Sequence, residues 1–398
     1  GATYEQAMAK VMGAVAAIAA TETAEVLAGE GVTVIEGRAG FTSSNEVSVG
    51  GRRVGADRFV VATGARPSLP PVPGLADVGA LTSDDIWDLK IAPGSLIVLG
   101  GGAIGCEMAQ ALARLGVSVT IIEAEGEVLP NEEPEASEAA RAALVESGVT
   151  VLTATRAAGL RRTAGGIEVE LDTGRPVAAE QILVAIGRRP VTDGLDLDAA
   201  GVEVDDAGRV IVDDYLATST PHIYSVGDVT GRLQLTHAAD EMARLAVGNA
   251  FSSFRRRRFR PSLVPWVTFL SPEVARVGMT EAQAAATDPS ARVAHLPMSA
   301  VDRAVVEGRT DGFIKVICGR RAMLGNIAGG RVLGATIVAE RAGEMIQELA
   351  LARRSGMFPA RIALATHAYP TWSLGVQQAV GQFFAEVNGR SARKARAA

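Results

Sequence analysis

The sequence predicts an α/β protein of two doubly wound units, the first incomplete, followed by an α+β domain. Three observations predict it. From Ser95 onward, short apolar runs alternate with helical stretches as strand–helix–strand–helix–strand, the pattern of a parallel sheet. The motif V-A-x-G-x-R-P occurs twice, at Val61–Pro67 and Val184–Pro190, and only the second copy has a glycine-rich loop upstream. Beyond residue 262 strands outnumber helices, which reads as an α+β domain with an antiparallel sheet.

The elements follow in order. Residues 1–30 read as one Ala-rich helix. VTVIEG (32–37), VSVGG (47–51) and RFVVATG (58–64) are short strands broken by glycines. PSLPPVPG (67–74) is a crossing linker, because proline cannot continue a ladder. SLIVLG (95–100) is a buried strand, 101–116 a helix, VSVTIIE (117–123) a strand, 134–148 a helix and VTVL (149–152) a strand. IEVELDTG (167–174) follows, and QILVAIG (181–187) closes the unit. HIYSVGD (222–228) is a strand ending in a glycine and an acid, and 236–251 a helix. RRRRFRPS (255–262) is a basic connector; so short a run in an acidic chain reads as a solvated linker. Strands at 264–269, 273–278, 292–297, 312–318 and 331–338 alternate with helices near 280–287 and 341–355. The domains expected are 1–94 with 218–262, then 95–217, then 263–398.

Composition bounds the function. The chain has 398 residues, 48% hydrophobic and 21% charged, an ordinary globular balance. A net charge of −6 argues against nucleic acid as a partner. No uncharged apolar run reaches the about 18 residues of a membrane span, so no membrane partner is expected. Glu5 and Lys10 favour an amphipathic first helix over a signal peptide. Two distant cysteines, Cys106 and Cys318, fit a reducing cytoplasm. The four histidines are scattered and no CxxC exists, so no metal site is expected.

GGGAIG (100–105) fits G-x-G-x-x-G between a strand and a helix. Gly100 would make the tight turn, Gly102 would let backbone approach a pyrophosphate, and Gly105 would let helix and strand pack closely. Ala103 and Ile104 lie on the same turn, where free N–H groups favour an anion. Ile104, Met108, Leu112 and Leu115 would form the buried stripe of the helix. Glu123, 18 residues after Gly105, stands where an acid accepts from a ribose 2′-hydroxyl and repels a 2′-phosphate. No arginine follows until Arg141, so NADH is expected over NADPH. Cys106 reads as a small buried helix residue and Cys318 as core.

Each copy of the repeat closes a strand with a glycine, Gly64 or Gly187, where ligands gather at strand ends. Val184 follows Gly100 by 84 residues, and the same spacing before Val61 falls ahead of residue 1. Val32–Pro67 therefore reads as the tail of a dinucleotide unit, resumed at 222–228 after the inserted one.

In this order, ATG (62–64), GGGAIGCE (100–107), IGRRP (186–190), YSVGDV (224–229) and HAYPT (367–371) resemble the pyridine nucleotide-disulfide oxidoreductase family, with lipoamide dehydrogenase, glutathione reductase and mercuric reductase. DEMARLAVGN (240–249), VPWVTFLSPEVARVGMTEAQA (264–284) and VDRAVVEGRTDGFIKV (301–316) are most similar to the mercuric-reductase-like branch. The resemblance implies FAD in the split first domain, NAD(P)H in the inserted one and a homodimer through the last. It implies hydride transfer from nicotinamide to flavin, then to a disulfide, a metal ion or another small-molecule acceptor. By the same resemblance Ala62, Thr63 and Gly64 line the FAD, and Gly227 and Asp228 face its ribityl and phosphate portion. The helix start at Thr236, His237 and Ala238 faces the flavin ring, and Glu107 lies near the nicotinamide.

Two departures matter. The family's first GxGxxG and its CxxxxC would precede Gly1, so the sequence reads as part of a longer chain. The alternative is a redox-inactive NAD-binding remnant that only dimerises. Disulfide-reducing members carry H-x-H-P-T and then a Glu; here Tyr369 replaces the second His and Leu374 the Glu. A phenol, with a pKa of about 10, is a poor acid/base at neutral pH, which argues against lipoamide and glutathione. Tyr369 resembles mercuric reductase, yet that enzyme's C-terminal cysteine pair is absent from NGRSARKARAA (388–398). The catalytic candidates are Tyr369, His367 and Glu107, with a structural role the plainer reading of His367.

Overall fold

The computed structural model describes residues 3–252, 254–321, 323 and 325–397. The expected helix over 1–30 is two helices, Tyr4–Ala19 and Ala24–Gly29, and Gly1 and Ala2 lie outside the described residues. Thr23 makes the break: its hydroxyl accepts the Val26 N–H and starts a new helix. Tyr4–Gly29 spans 26 residues, long and apolar enough by length and composition to cross a membrane, which qualifies the expectation of none. The capped break and Glu5, Lys10, Glu22 and Glu25 interrupt it.

VTVIEG forms no strand; residues 32–36 join no ladder among the described residues. β-propensity makes a strand only where a partner edge exists. An unanticipated meander follows, Ala39–Ser43 with Glu46–Val49 and Arg52–Gly55, antiparallel throughout.

The chain divides into two compact units. The first comprises residues 1–69, 81–92 and 187–261. In it, Phe59–Val61 pairs in parallel with Ile223–Ser225, so the chain does return to its early strand after a long excursion. Phe41, Val61, Leu197, Val202, Ile223 and Val229 form the core beside this pair. The two repeat copies also pair: Ala65–Pro67 lies antiparallel to Arg188–Pro190, with Arg66 opposite Arg189. That ladder draws residues 187–217, expected with the inserted domain, into the first unit.

The second unit comprises 70–80, 93–186 and 262–398. Its parallel sheet runs Gln181–Val184, Ser95–Leu99, Ser118–Ile122, Thr150–Leu152. Ile97, Val98, Ile121, Ile182 and Leu183 are fully buried, as in a sheet covered on both faces. The helix Ala103–Arg114 buries Gly105, Cys106, Ala109, Gln110 and Leu112. The expected stripe was misplaced, since Ile104, Met108 and Leu115 are only half-buried. The helix start buries the small residues Gly105 and Cys106, because at Gly105 the strand is too close for a side chain.

The same unit holds a six-stranded antiparallel sheet in the order Pro265–Thr268, Glu273–Gly278, Arg331–Ala339, Phe313–Gly319, Arg292–Pro297, Arg393–Lys394. Helix Ala342–Ser355 covers it, with Ile314, Val316, Ile337, Ile346, Leu349 and Val380 in the core.

One polar cluster crosses this unit. Lys315 lies 2.7 Å from Glu135, 3.3 Å from Glu281 and 3.4 Å from Glu133, and Arg393 also pairs with Glu281. Burial would raise the Glu281 pKa, but Arg393, the Arg396 N–H and Lys315 outweigh it and bring it from its ordinary 4.5 to about 2. A carboxyl depressed in the folded state stabilises above its unfolded pKa and loses that contribution as pH falls through the folded one. The urea midpoint is therefore expected to fall as pH drops from 4.5 toward 2, and to fall less in Glu281→Gln. Equal acid sensitivity in the two proteins would remove Glu281 from that role.

Candidate functional site

The strand Ser95–Leu99 runs into Gly100, whose φ is 106°. A Cβ there would lie 2.6 Å from the Ala185 carbonyl oxygen. A Cβ on Gly105 would lie 1.9 Å from the Gly100 carbonyl oxygen, which explains the close approach of helix and strand. Gly102 differs: it caps the helix in an extended conformation, and a Cβ would meet nothing within 4 Å. The fold accounts for two of the glycines but not for the third, whose bare backbone leaves room for a ligand to approach. Ala103 is exposed and Ile104 half-buried beside it, and no side chain caps the helix. The loop thus fits a dinucleotide pyrophosphate.

Glu123, only 7% exposed, turns into this loop. It accepts the Gly101 N–H at 2.5 Å through Oε2 and the Glu125 N–H at 2.7 Å through Oε1. The expected ribose acceptor is therefore already a loop fastener, and a ribose hydroxyl would use a remaining lone pair. Burial, aided by Glu123, pushes the Cys106 thiol up to about 12, so Cys106 is not an activated nucleophile. Cys318 is buried and its thiol likewise raised. Glu107 accepts the Phe269 N–H at 2.7 Å, and burial holds its pKa above the ordinary value against that bond.

In the first unit, the parallel strands Phe59–Val61 and Ile223–Ser225 lead into the two other motifs. Ala62 and Thr63 are exposed, and the Thr63 hydroxyl donates to the Val191 carbonyl at 2.6 Å. Gly64, Gly187 and Gly227 have φ of 70°, 139° and 75°. The Gly227 N–H points at Met242 Sδ, 3.3 Å away. Asp228 lies 3.5 Å from Arg188 Nε; burial raises its pKa and Arg188 opposes the rise. Arg188 also donates to the Ala65 carbonyl at 2.5 Å. Sequence reasoning missed Arg188 because the repeat shares Arg66 and Arg189, not Arg188; Arg189 pairs with Asp193 at the surface. Helix Thr236–Ala250 starts without a side-chain cap. Ala238 is fully buried, so only its backbone could serve a ligand, while His237 is exposed. An acid at a strand's carboxyl end, held by an arginine beside an uncapped helix, fits hydroxyl and phosphate groups of FAD.

His367 Nε2 lies 3.1 Å from Glu348 of helix Ala342–Ser355, and Nδ1 donates to the Ala365 carbonyl at 3.0 Å. Burial would lower its pKa, but the Glu348 and Ala365 bonds outweigh it and raise it. The orienting acid missing at Leu374 thus has a counterpart on another helix, 19 residues before His367, where sequence spacing gave no signal. Tyr369 is 70% exposed, and its bond to Asp302 holds the phenol above its ordinary pKa. Among the described residues no group of three or more His, Cys, Asp or Glu could hold a metal ion.

The model of the pyridine nucleotide-disulphide oxidoreductases matches residues 3–243, and that of their dimerisation domain matches 264–380. A mercuric reductase of Bacillus cereus is 36% identical over 361 residues, covering 90% of this chain. The chain spans 56% of that relative's length. A dihydrolipoyl dehydrogenase of Thermus scotoductus is 35% identical over 368 residues, covering 89% of this chain and 76% of the relative. The HOCl-induced flavoprotein disulfide reductase RclA of Escherichia coli superposes with a TM-score of 0.87 at 28% identity, over 96% of this chain and 86% of that one.

Proposed function

Because the chain belongs to the pyridine nucleotide-disulphide oxidoreductase family, we propose that it acts as an FAD-dependent NADH oxidoreductase, as a homodimer, on a small-molecule acceptor other than lipoamide or glutathione. The observation that carries the flavin reading is the convergence of Gly64 and Gly227–Asp228 at the carboxyl ends of two adjacent parallel strands. Bound FAD would supply a two-electron carrier between NADH and the acceptor. Asp228 would accept from hydroxyl groups, with Arg188 opposing the rise that burial imposes on its pKa. The start of helix Thr236–Ala250 would favour negative charge at its N–H groups. Tyr369, whose phenol is bonded to Asp302 and held above its ordinary pKa, would not take a proton from the acceptor. Glu123 and Glu125 at the adenosine end would favour NADH. With both cysteines buried and unpaired, we place the protein in the cytoplasm.

A second reading, an NAD-binding dimer without redox chemistry, is favoured by one observation. Residues 32–36, within the unit that would hold flavin, join no ladder among the described residues, with Val32 and Val34 exposed. Purification of the chain decides between them. Bound flavin and NADH-driven reduction of a dye are expected, with kcat/KM for NADH above that for NADPH by about tenfold, the worth of one charged contact. A flavin-free protein inert toward dyes would leave the second reading. Preference for NADPH would overturn the role given to Glu123.

A further inference from the structure

We infer that Arg276 and Glu132 are positioning residues for NADH: the antiparallel sheet clamps the segment that backs the dinucleotide loop. This rests on reading GGGAIG as the NADH site. Gly101, inside that loop, donates its N–H to Glu123, and its carbonyl accepts the Leu129 N–H at 2.8 Å. Val128 Cγ1 would lie 3.0 Å from a Cβ on Gly101, so the segment 124–133 packs directly behind the loop. Leu129 is buried, with φ of 48°, a left-handed conformation that a leucine keeps only when its surroundings impose it. Its carbonyl is held by the Ser137 hydroxyl at 2.9 Å.

The other end of the segment is gripped from the antiparallel sheet. Trp266 Nε1 donates to Glu132 Oε1 at 2.7 Å, and Arg276 Nε lies 2.8 Å from Glu132 Oε2. That second contact is not angled as a hydrogen bond, so charge attraction carries it. Arg276 Nη2 donates to the Asn131 carbonyl at 2.7 Å, and the guanidinium sits 4.3 Å from the Trp266 ring centroid. Arg276 and Glu132 are both nearly buried, at 7% and 8% side-chain exposure. If this grip is released, Leu129 is free to leave its left-handed conformation and its N–H to leave Gly101. The Gly101 peptide then turns, and the adjacent Gly102 N–H loses its aim at the pyrophosphate. Such a loss weakens binding of NADH without altering later steps.

The test uses the full chain with its flavin. Glu132→Met with Arg276→Met removes both charges together, so that no lone buried ion remains. NADH affinity is read by fluorescence titration, and KM and kcat with a dye acceptor are read beside it. The expected result is an about tenfold rise in Kd and KM, with kcat held, within the range of couplings carried by such networks. Val380→Ala, buried in the same domain's core, is the control and should lower stability without moving Kd. Should the double variant fail to fold, Trp266→Phe, which loses the bond to Glu132 and weakens the ring contact with Arg276, should raise Kd about threefold. An unchanged Kd in the variant that folds, or an equal rise in Val380→Ala, overturns the inference. A wild-type chain that binds no NADH overturns the underlying reading of the loop and the inference with it.

Discussion

Gly102→Val is expected to abolish NADH binding at little cost in stability, whereas Gly105→Ala lowers both. The two substitutions separate what a ligand requires from what the fold requires. Gly102 has φ −74° and ψ −175°, an extended conformation open to any residue, and a Cβ would meet nothing within 4 Å. A side chain there meets no protein atom at its Cβ, so it costs the unliganded protein no more than the helix-capping preference for glycine. It fills the space through which backbone N–H groups would reach a pyrophosphate, so affinity should fall about a hundredfold or more. At Gly105 a Cβ would collide with the Gly100 carbonyl oxygen at 1.9 Å and approach Val98 Cγ1 at 3.3 Å. Helix and strand must separate, a strain of about 1–3 kcal/mol, and the loop between them moves as well. Urea midpoints and NADH titrations of the two variants check both halves. Normal NADH binding by Gly102→Val would mean that the loop holds no pyrophosphate.

The parts of this protein legible in its sequence are those whose determinants are local. The strands Ser95–Leu99 and Gln181–Val184 are buried on both faces beyond their first residue, so each is written there as an apolar run. The glycine loop is legible because what constrains Gly105, the Gly100 carbonyl and Val98, lies within seven residues of it in the sequence. What stayed hidden depends on distant partners. VTVIEG has the composition of a strand, but no described residue pairs with it. The repeat revealed two similar strand ends, but not that Ala65–Pro67 and Arg188–Pro190 pair with each other. It also directed attention to Arg189 when Arg188 is the arginine beside Asp228. Glu348 reaches His367, which lies between helices, from helix Ala342–Ser355. The helix stripe failed for a related reason: periodicity marks large residues, while the closest helix–strand contact selects small ones.

The buried lysine in GFIKVIC is the largest such omission, and its removal should cost the most. Lys315→Met is expected to destabilise the chain by about 3–5 kcal/mol, the usual result of deleting one side of a buried ion pair. Lys315 is 1% exposed in the centre of an apolar strand. Burial pushes its pKa down, but the bond to Glu135 and the charges of Glu133 and Glu281 outweigh that and raise it. Glu133, 2% exposed, is the acid least able to bear its charge: burial raises its pKa, and Lys315 is the main opposing influence. Without Lys315 its folded-state pKa rises further. A carboxyl raised in the folded state favours folding below its unfolded pKa and loses that advantage as pH rises. The deficit of Lys315→Met should therefore be greatest at neutral pH and shrink on acidification, while Glu133→Gln added to it recovers part of the loss at neutral pH. Urea midpoints of the wild type and both variants, at neutral pH and near the ordinary carboxyl pKa, measure this. A midpoint for Lys315→Met equal to that of the wild type at neutral pH would show that the cluster contributes no net stability.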